Sequence, residues 1–131
     1  MPGGFSLNAT LRVGLIGSGG MAAARAERFA AHPACTLVAL AGRNAATVHA
    51  LASRWGVAAL AGWRELVGRT DVDAVCIATH PDTHAAMAQA ALAHGKHVFV
   101  ETPLALDLAD ADAIVAAAQS RGRVVRVGLT S

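Results

Sequence analysis

The stretch Leu11-Arg12-Val13-Gly14-Leu15-Ile16-Gly17-Ser18-Gly19-Gly20-Met21-Ala22 decides the fold. An apolar run meets Gly17, Gly19 and Gly20, and an alanine-rich segment follows. A buried strand turning tightly into a helix has this pattern. Gly17-x-Gly19-x-x-Ala22 fits the dinucleotide spacing G-x-G-x-x-G/A. The first glycine permits the tight turn, and the second lets the backbone approach a pyrophosphate. Ala22 is small enough for the close meeting of helix and strand. Ser18, Gly20 and Met21 complete the candidate loop, and the helix N–H groups and dipole face the phosphates. The spacing alone is not specific, because such a turn also serves close packing without a ligand.

Outward from this stretch, strand and helix alternate. Leu11–Ile16 is the first strand, and Gly20 to Ala31 a helix that His32-Pro33 ends. Thr36–Ala41 is a second, continuous apolar strand, as in the centre of a parallel sheet. Asn44 caps a helix over Ala45–Trp55, with Val48, Leu51, Ala52 and Trp55 on one face and Gly56 as its stop. A short strand Val57–Leu60 and a short helix Trp63–Val67 follow, then a strand Ala74–Ala78. Pro81 opens a helix running to His94, and His97–Val100 is the fifth strand. Asp107 caps a helix through Gln119 or Ser120, and Arg123–Val127 is the sixth strand. This order predicts an α/β fold: a doubly wound parallel six-stranded sheet, strand order 3-2-1-4-5-6, in three α/β/α layers.

Composition narrows the function. The chain has 131 residues, 54% hydrophobic, with a net charge of +2. That suits one domain with a real core, here residues 11–131 after a short leader over 1–10. The basic residues are scattered, so nothing resembles a nucleic-acid footprint. Arg121, Arg123 and Arg126 read as a solvated end rather than a phosphate patch. Cys35 and Cys76 have no spacing motif, so neither a disulfide nor a metal site is indicated. No signal peptide is evident and no run approaches the ~18 apolar residues of a membrane span, which predicts a cytoplasmic protein without membrane contact.

The end of the second strand bears on which dinucleotide fits. An NAD site expects an acid about 20 residues beyond the glycines, on the ribose 2′-hydroxyl. No Asp or Glu occurs between Glu27 and Glu65. Gly42, Arg43 and Asn44 stand there instead. Gly42 makes room, Arg43 offers a cationic fork of donors to a phosphate, and Asn44 adds a hydrogen bond. These residues point to a 2′-phosphate and so to NADP, with NAD the second choice. The alternative is an exposed loop arginine that only covers adenine.

Three stretches together resemble the N-terminal half of the Gfo/Idh/MocA oxidoreductases: Val13–Met21, Asp73–His84 and Ala91–Ala105. The last two carry most of the specificity: Ala78-Thr79-His80-Pro81-Asp82-Thr83-His84 and Gly95-Lys96-His97-Val98-Phe99-Val100-Glu101-Thr102-Pro103. The resemblance implies that the turn Ala78, Thr79, His80 and Pro81 lies against the cofactor. It also implies His84 near the ribose–nicotinamide end and Glu101 on the nicotinamide ribose. On its own residues, His84 falls in the first turn of a helix at the sheet's carboxyl edge, where local contacts are the competing role. His80 precedes a proline, so it is held extended.

The family motif reads Glu-Lys-Pro, and its lysine positions substrate and assists proton transfer. Here the motif is Glu101-Thr102-Pro103, and threonine carries no cation and is a poor acid or base at neutral pH. Family members also carry a C-terminal α/β substrate domain, for which 131 residues leave no room. The expected function is therefore an NADP-binding domain whose parent reaction is hydride transfer with a sugar, polyol or related hydroxy compound. Alone it would bind dinucleotide without turnover, and surface near Leu104, Leu106 and Leu129 would favour self-association. The alternatives are a non-catalytic dinucleotide sensor and a protein-interaction module with a vestigial site.

Overall fold

A computed structural model describes residues 10–17, 19–101 and 103–127. Ser18 and Thr102 of the expected site, most of the leader, and Leu129 lie outside the described residues. The strands are β1 (Leu11–Ile16), β2 (Cys35–Ala41), β3 (Ala58–Leu60), β4 (Ala74–Ile77), β5 (His97–Val100) and β6 (Val125–Val127). The helices are α1 (Gly20–Ala31), α2 (Ala45–Trp55), α3 (Trp63–Val67), α4 (His84–Ala93) and α5 (Leu108–Arg121). All strand pairings are parallel, in the order β3-β2-β1-β4-β5-β6. The doubly wound sheet expected from the alternation is present.

The strands are apolar on both faces because helices cover both. Val13 and Leu15 of β1 and Cys76 of β4 pack with Ala22 and Ala26 of α1 and Val48, Leu51 and Ala52 of α2. Ile16, Val75, Ile77, Val98 and Val100 point the other way, onto Leu66 of α3, Met87 and Leu92 of α4, and Ile114 of α5. Trp55 and Trp63 pack half-buried against these two clusters. Burial on each face is the main stabilising term.

Local chemistry sets the ends. Asn44 caps α2 through Oδ1, which accepts from Thr47 N at 3.1 Å. Asp107 does the same for α5 at Asp110 N, 2.8 Å. Some expected boundaries shift. β3 begins at Ala58, because the Val57 N–H donates back to Ala52 O at 3.0 Å and closes α2. β6 begins at Val125, because Arg123 N–H is spent on Ala118 O and Val124 N–H on His97 Nδ1. The expected helix from Pro81 opens as a 3₁₀ turn over Pro81–Thr83, and α4 proper starts at His84. There Thr83 N–H and Oγ1 both donate to His80 O, at 3.0 and 2.7 Å.

Two side chains fasten the amino edge of the sheet. Asp73, ahead of β4, accepts from Arg12 N, Nε and Nη2 at 2.9, 3.0 and 2.9 Å. Lys96, ahead of β5, is buried and donates from Nζ to Arg69 O and Val72 O at 2.6 and 2.7 Å. Burial lowers the Lys96 ammonium from its ordinary value. The opposite, carboxyl edge is where the strand order reverses between β1 and β4.

Candidate functional site

The strand register aligns the candidate residues. Ile16 pairs with Ala41 and with Ile77, and Ile77 pairs with Val100. The next residue on each strand is Gly17, Gly42, Ala78 or Glu101. Gly17 N donates to Ala41 O (2.7 Å), Ala78 N to Ile16 O (2.8 Å) and Glu101 N to Ile77 O (3.1 Å). The residues leave the sheet side by side, at the crevice where open α/β sheets hold ligands.

Gly17 and Gly19 are glycines for different reasons. Gly17 has φ +142°, a conformation side chains rarely adopt, and its Cα abuts the Ala78 carbonyl. Gly19 has φ −90°, which any residue can adopt. Apart from chain neighbours and the helix's own backbone, no heavy atom of the described residues lies within 4 Å of where a Cβ would sit on Gly19 or Gly20. The protein's own packing therefore does not demand glycine there, and the open space is what a close backbone approach by a ligand requires. Gly19 is also the N-cap of α1, with no side-chain cap and no acid in the first turn. Among the described residues no side chain caps the first N–H groups of this twelve-residue helix, and such groups are where an anion can be held. Met21 stands at this opening, 47% exposed.

A cavity of about 180 Å³ opens at the same edge. Gly42 and Arg43 form one wall, Thr79, His80 and Thr83 another, with Trp63 between. Arg43 is exposed. Asn44 is exposed beside it, its Oδ1 committed to capping α2. The β4 turn is internally braced. Thr83 Oγ1 gives its hydrogen to His80 O, so in the 2.7 Å contact between the two hydroxyls Thr79 donates to Thr83. His80 Nδ1 lies 2.8 Å from Asp82 Oδ1, both side chains exposed, and Pro81 starts the 3₁₀ turn.

His84 faces inward, 1% exposed. Its Nδ1 lies 2.7 Å from Pro103 O and its Nε2 3.0 Å from Thr79 O. It therefore joins the β4 turn to the loop after β5, the local role weighed against cofactor contact. Glu101 is 7% exposed and forms a bidentate ion pair with Arg25 of α1, Nε to Oε2 and Nη2 to Oε1. Arg25 is absent from the expected site. The signal for it was available: Ala22, Arg25, Ala26 and Phe29 share the inward face of α1 at helical spacing.

A roomier apolar cleft, about 310 Å³, lies off this edge, on the α1 side of β4–β6 among Phe29, Phe99, Val124 and Arg126. Apart from His97 and Arg126 its lining is apolar. Among the described residues no cluster of three metal-ligating side chains is assembled, and both cysteines are free. No helix among them is long and apolar enough to cross a membrane.

Residues 11–129 match the oxidoreductase family described as GFO_IDH_MocA, NAD-binding Rossmann fold. The chain belongs to this family. The match is to the family's NAD-binding domain. The chain is 35% identical over 122 residues to a dTDP-3,4-didehydro-2,6-dideoxy-alpha-D-glucose 3-reductase of Streptomyces antibioticus, covering 92% of this chain and 37% of that protein. It is 38% identical over 123 residues to an inositol 2-dehydrogenase of Gluconacetobacter diazotrophicus, covering 91% and 36%. The crystal structure of biliverdin reductase from Synechocystis sp. PCC 6803, in complex with biliverdin and NADP+, superposes with a TM-score of 0.86 at 37% identity. That match covers 89% of this chain and 37% of that one. The chain thus spans little more than a third of the length of these relatives.

Proposed function

We propose that this domain holds NADP(H) for hydride transfer in a Gfo/Idh/MocA oxidoreductase acting on a sugar, polyol or related hydroxy compound. The observation that carries the reading is the open cradle at Gly19 and Gly20, ahead of an α1 N-terminus without a capping side chain. The pyrophosphate fits this cradle, and the adenosine end fits the cavity beside Arg43. Arg43, at a strand end without an acid, supports a 2′-phosphate over a 2′-hydroxyl. Ala78, Thr79, His80 and Pro81 form the opposite wall, with His84 fixing the turn from behind. Glu101 is level with the glycine loop, in reach of a ribose at the far end of the dinucleotide. When bound, the nicotinamide supplies the hydride chemistry, and the residues named here bind and orient it.

The relatives include a sugar reductase and an inositol dehydrogenase, which supports a hydroxy or carbonyl substrate class without fixing one. Thr102 favours a second reading, a dinucleotide sensor, since it lacks the amine of the family lysine. Exposed Leu106 and Leu108 beside half-buried Leu104 support self-association of the chain as given. Trp63 lines the adenosine-side cavity, so NADPH is expected to quench tryptophan emission on titration. Tighter binding of NADPH than NADH is expected. No binding of either at millimolar concentration overturns both readings.

A further inference from the structure

We propose that Arg25 is a positioning residue for the distal half of the dinucleotide, holding the Glu101 carboxylate in register with the glycine loop through their buried ion pair. The inference rests on the dinucleotide reading above and assigns a part to a helix residue outside the fingerprint. Arg25 is 6% exposed and Glu101 7%, so water does not screen the pair. The guanidinium engages both carboxylate oxygens, which fixes the carboxylate plane as well as its place. Its Cζ lies over the Phe99 ring, 5.3 Å from the centroid. Phe99 in turn meets Phe29 of α1 edge-on, centroids 6.1 Å apart. Two turns of α1 are thus fastened to β5 and to the residue just beyond it.

Stability alone is a poor account of this arrangement. Packed apolar groups in place of a buried ion pair are often neutral or stabilising. What the pair adds is geometry. α1 begins at the pyrophosphate cradle, and Glu101 stands at the end of β5, past Ala78 in the row of strand ends. A bidentate guanidinium takes one lone pair from each carboxylate oxygen and leaves the others for hydroxyl donors. A ribose diol is the chemical class that suits them. With the carboxylate plane fixed by the fork, anchoring the phosphates at α1 and the ribose at Glu101 becomes one rigid-body event.

The test compares two ligands on the chain as it stands. NADPH spans both halves of the crevice, whereas adenosine 2′,5′-bisphosphate stops at the proximal half. Arg25→Gln is expected to weaken NADPH about tenfold and leave the bisphosphate within about twofold of wild type. Arg25→Lys, which keeps the charge without the fork, is expected to fall between. Equal weakening of both ligands, or of neither, overturns the proposal. If Arg25→Gln does not fold, Arg25→Lys and Glu101→Gln are read by the same split. Loss of folding in all three overturns it too, because the pair then serves the fold alone. Wild-type protein that binds neither ligand sinks the dinucleotide reading itself, a result distinct from an equal loss in the variants.

Discussion

Gly17 lies so close under Ala78 that a Cβ on Gly17 would stand 2.5 Å from the Ala78 carbonyl oxygen. It would also meet the Ala22 Cβ at 3.2 Å. The first glycine of the fingerprint is therefore a packing residue, wedged where β1, β4 and α1 converge. Gly19, two residues on, has open space instead.

Substitutions at these two glycines should separate fold from function. Gly17→Ala combines strain at φ +142° with a backbone clash, and a loss of roughly 1–3 kcal/mol is expected in urea denaturation. Gly19→Ala meets no clash, and only the poorer N-cap that alanine makes counts against it, so a stability loss of at most about 1 kcal/mol is expected. The same variant should lose most NADPH affinity, because its methyl group fills the pyrophosphate cradle.

Arg43 should control cofactor choice and little else. It is exposed at the mouth of the crevice, so Arg43→Ala is expected to leave the melting temperature nearly unchanged. NADPH affinity should drop by about tenfold to a hundredfold while NADH is hardly affected, as for loss of one charge-assisted phosphate contact. Parallel titrations with the two cofactors check this, and an equal loss for both refutes the 2′-phosphate assignment.

The amino edge should weaken in acid. Hydrogen bonds from Arg12 hold the Asp73 carboxyl below its ordinary value. A carboxylate with a depressed folded-state pKa contributes stability above its unfolded value, near 4, and loses it as pH falls through the lower folded value. Asp73→Asn is therefore expected to melt below wild type at pH 7, with the gap closing below about pH 4. Melting curves from pH 7 down to pH 3 test the trend; a gap that widens in acid contradicts it.

The two cysteines should differ in reactivity. Burial, with Glu101 adding to it, pushes the Cys76 thiol up to about 12. Cys35 is only half-buried, and burial raises its thiol as well. At pH 8 iodoacetamide is expected to label Cys35 first and to reach Cys76 only with unfolding, as peptide mass spectrometry would show. Rapid labelling of Cys76 in folded protein would mean that the β4 core opens.

The architecture was legible in the sequence because each element carries its own signal. Apolar runs mark the strands, Asn44 and Asp107 mark helix starts, and the alternation dictates parallel order. The boundary shifts at Val57 and Arg123 arise from N–H groups that close the preceding helices, a competition that apolar periodicity does not register. The strand ends of the site follow from the motifs, but the inward turn of His84 does not. It depends on the 3₁₀ turn at Pro81–Thr83, which sets the facing of the first α4 residue. The Arg25–Glu101 pair joins residues 76 apart, and nothing local announces the partner. The specific motifs also mix two duties: Asp73 and Lys96, on which part of the family likeness rests, brace the edge opposite the site.

Helix α1 starts on residues that have no side chain with which to finish it. Elsewhere a serine or aspartate at such a start is worth about 1 kcal/mol. A phosphate seated here would take that part, so the guest completes a piece of the host's secondary structure. Loading and folding then draw on the same free energy. At a free concentration of about one hundred times its Kd, such a guest raises apparent stability by roughly 2.7 kcal/mol. A dinucleotide that seats here would thus act as a folding partner of this chain, its concentration setting part of the chain's apparent stability.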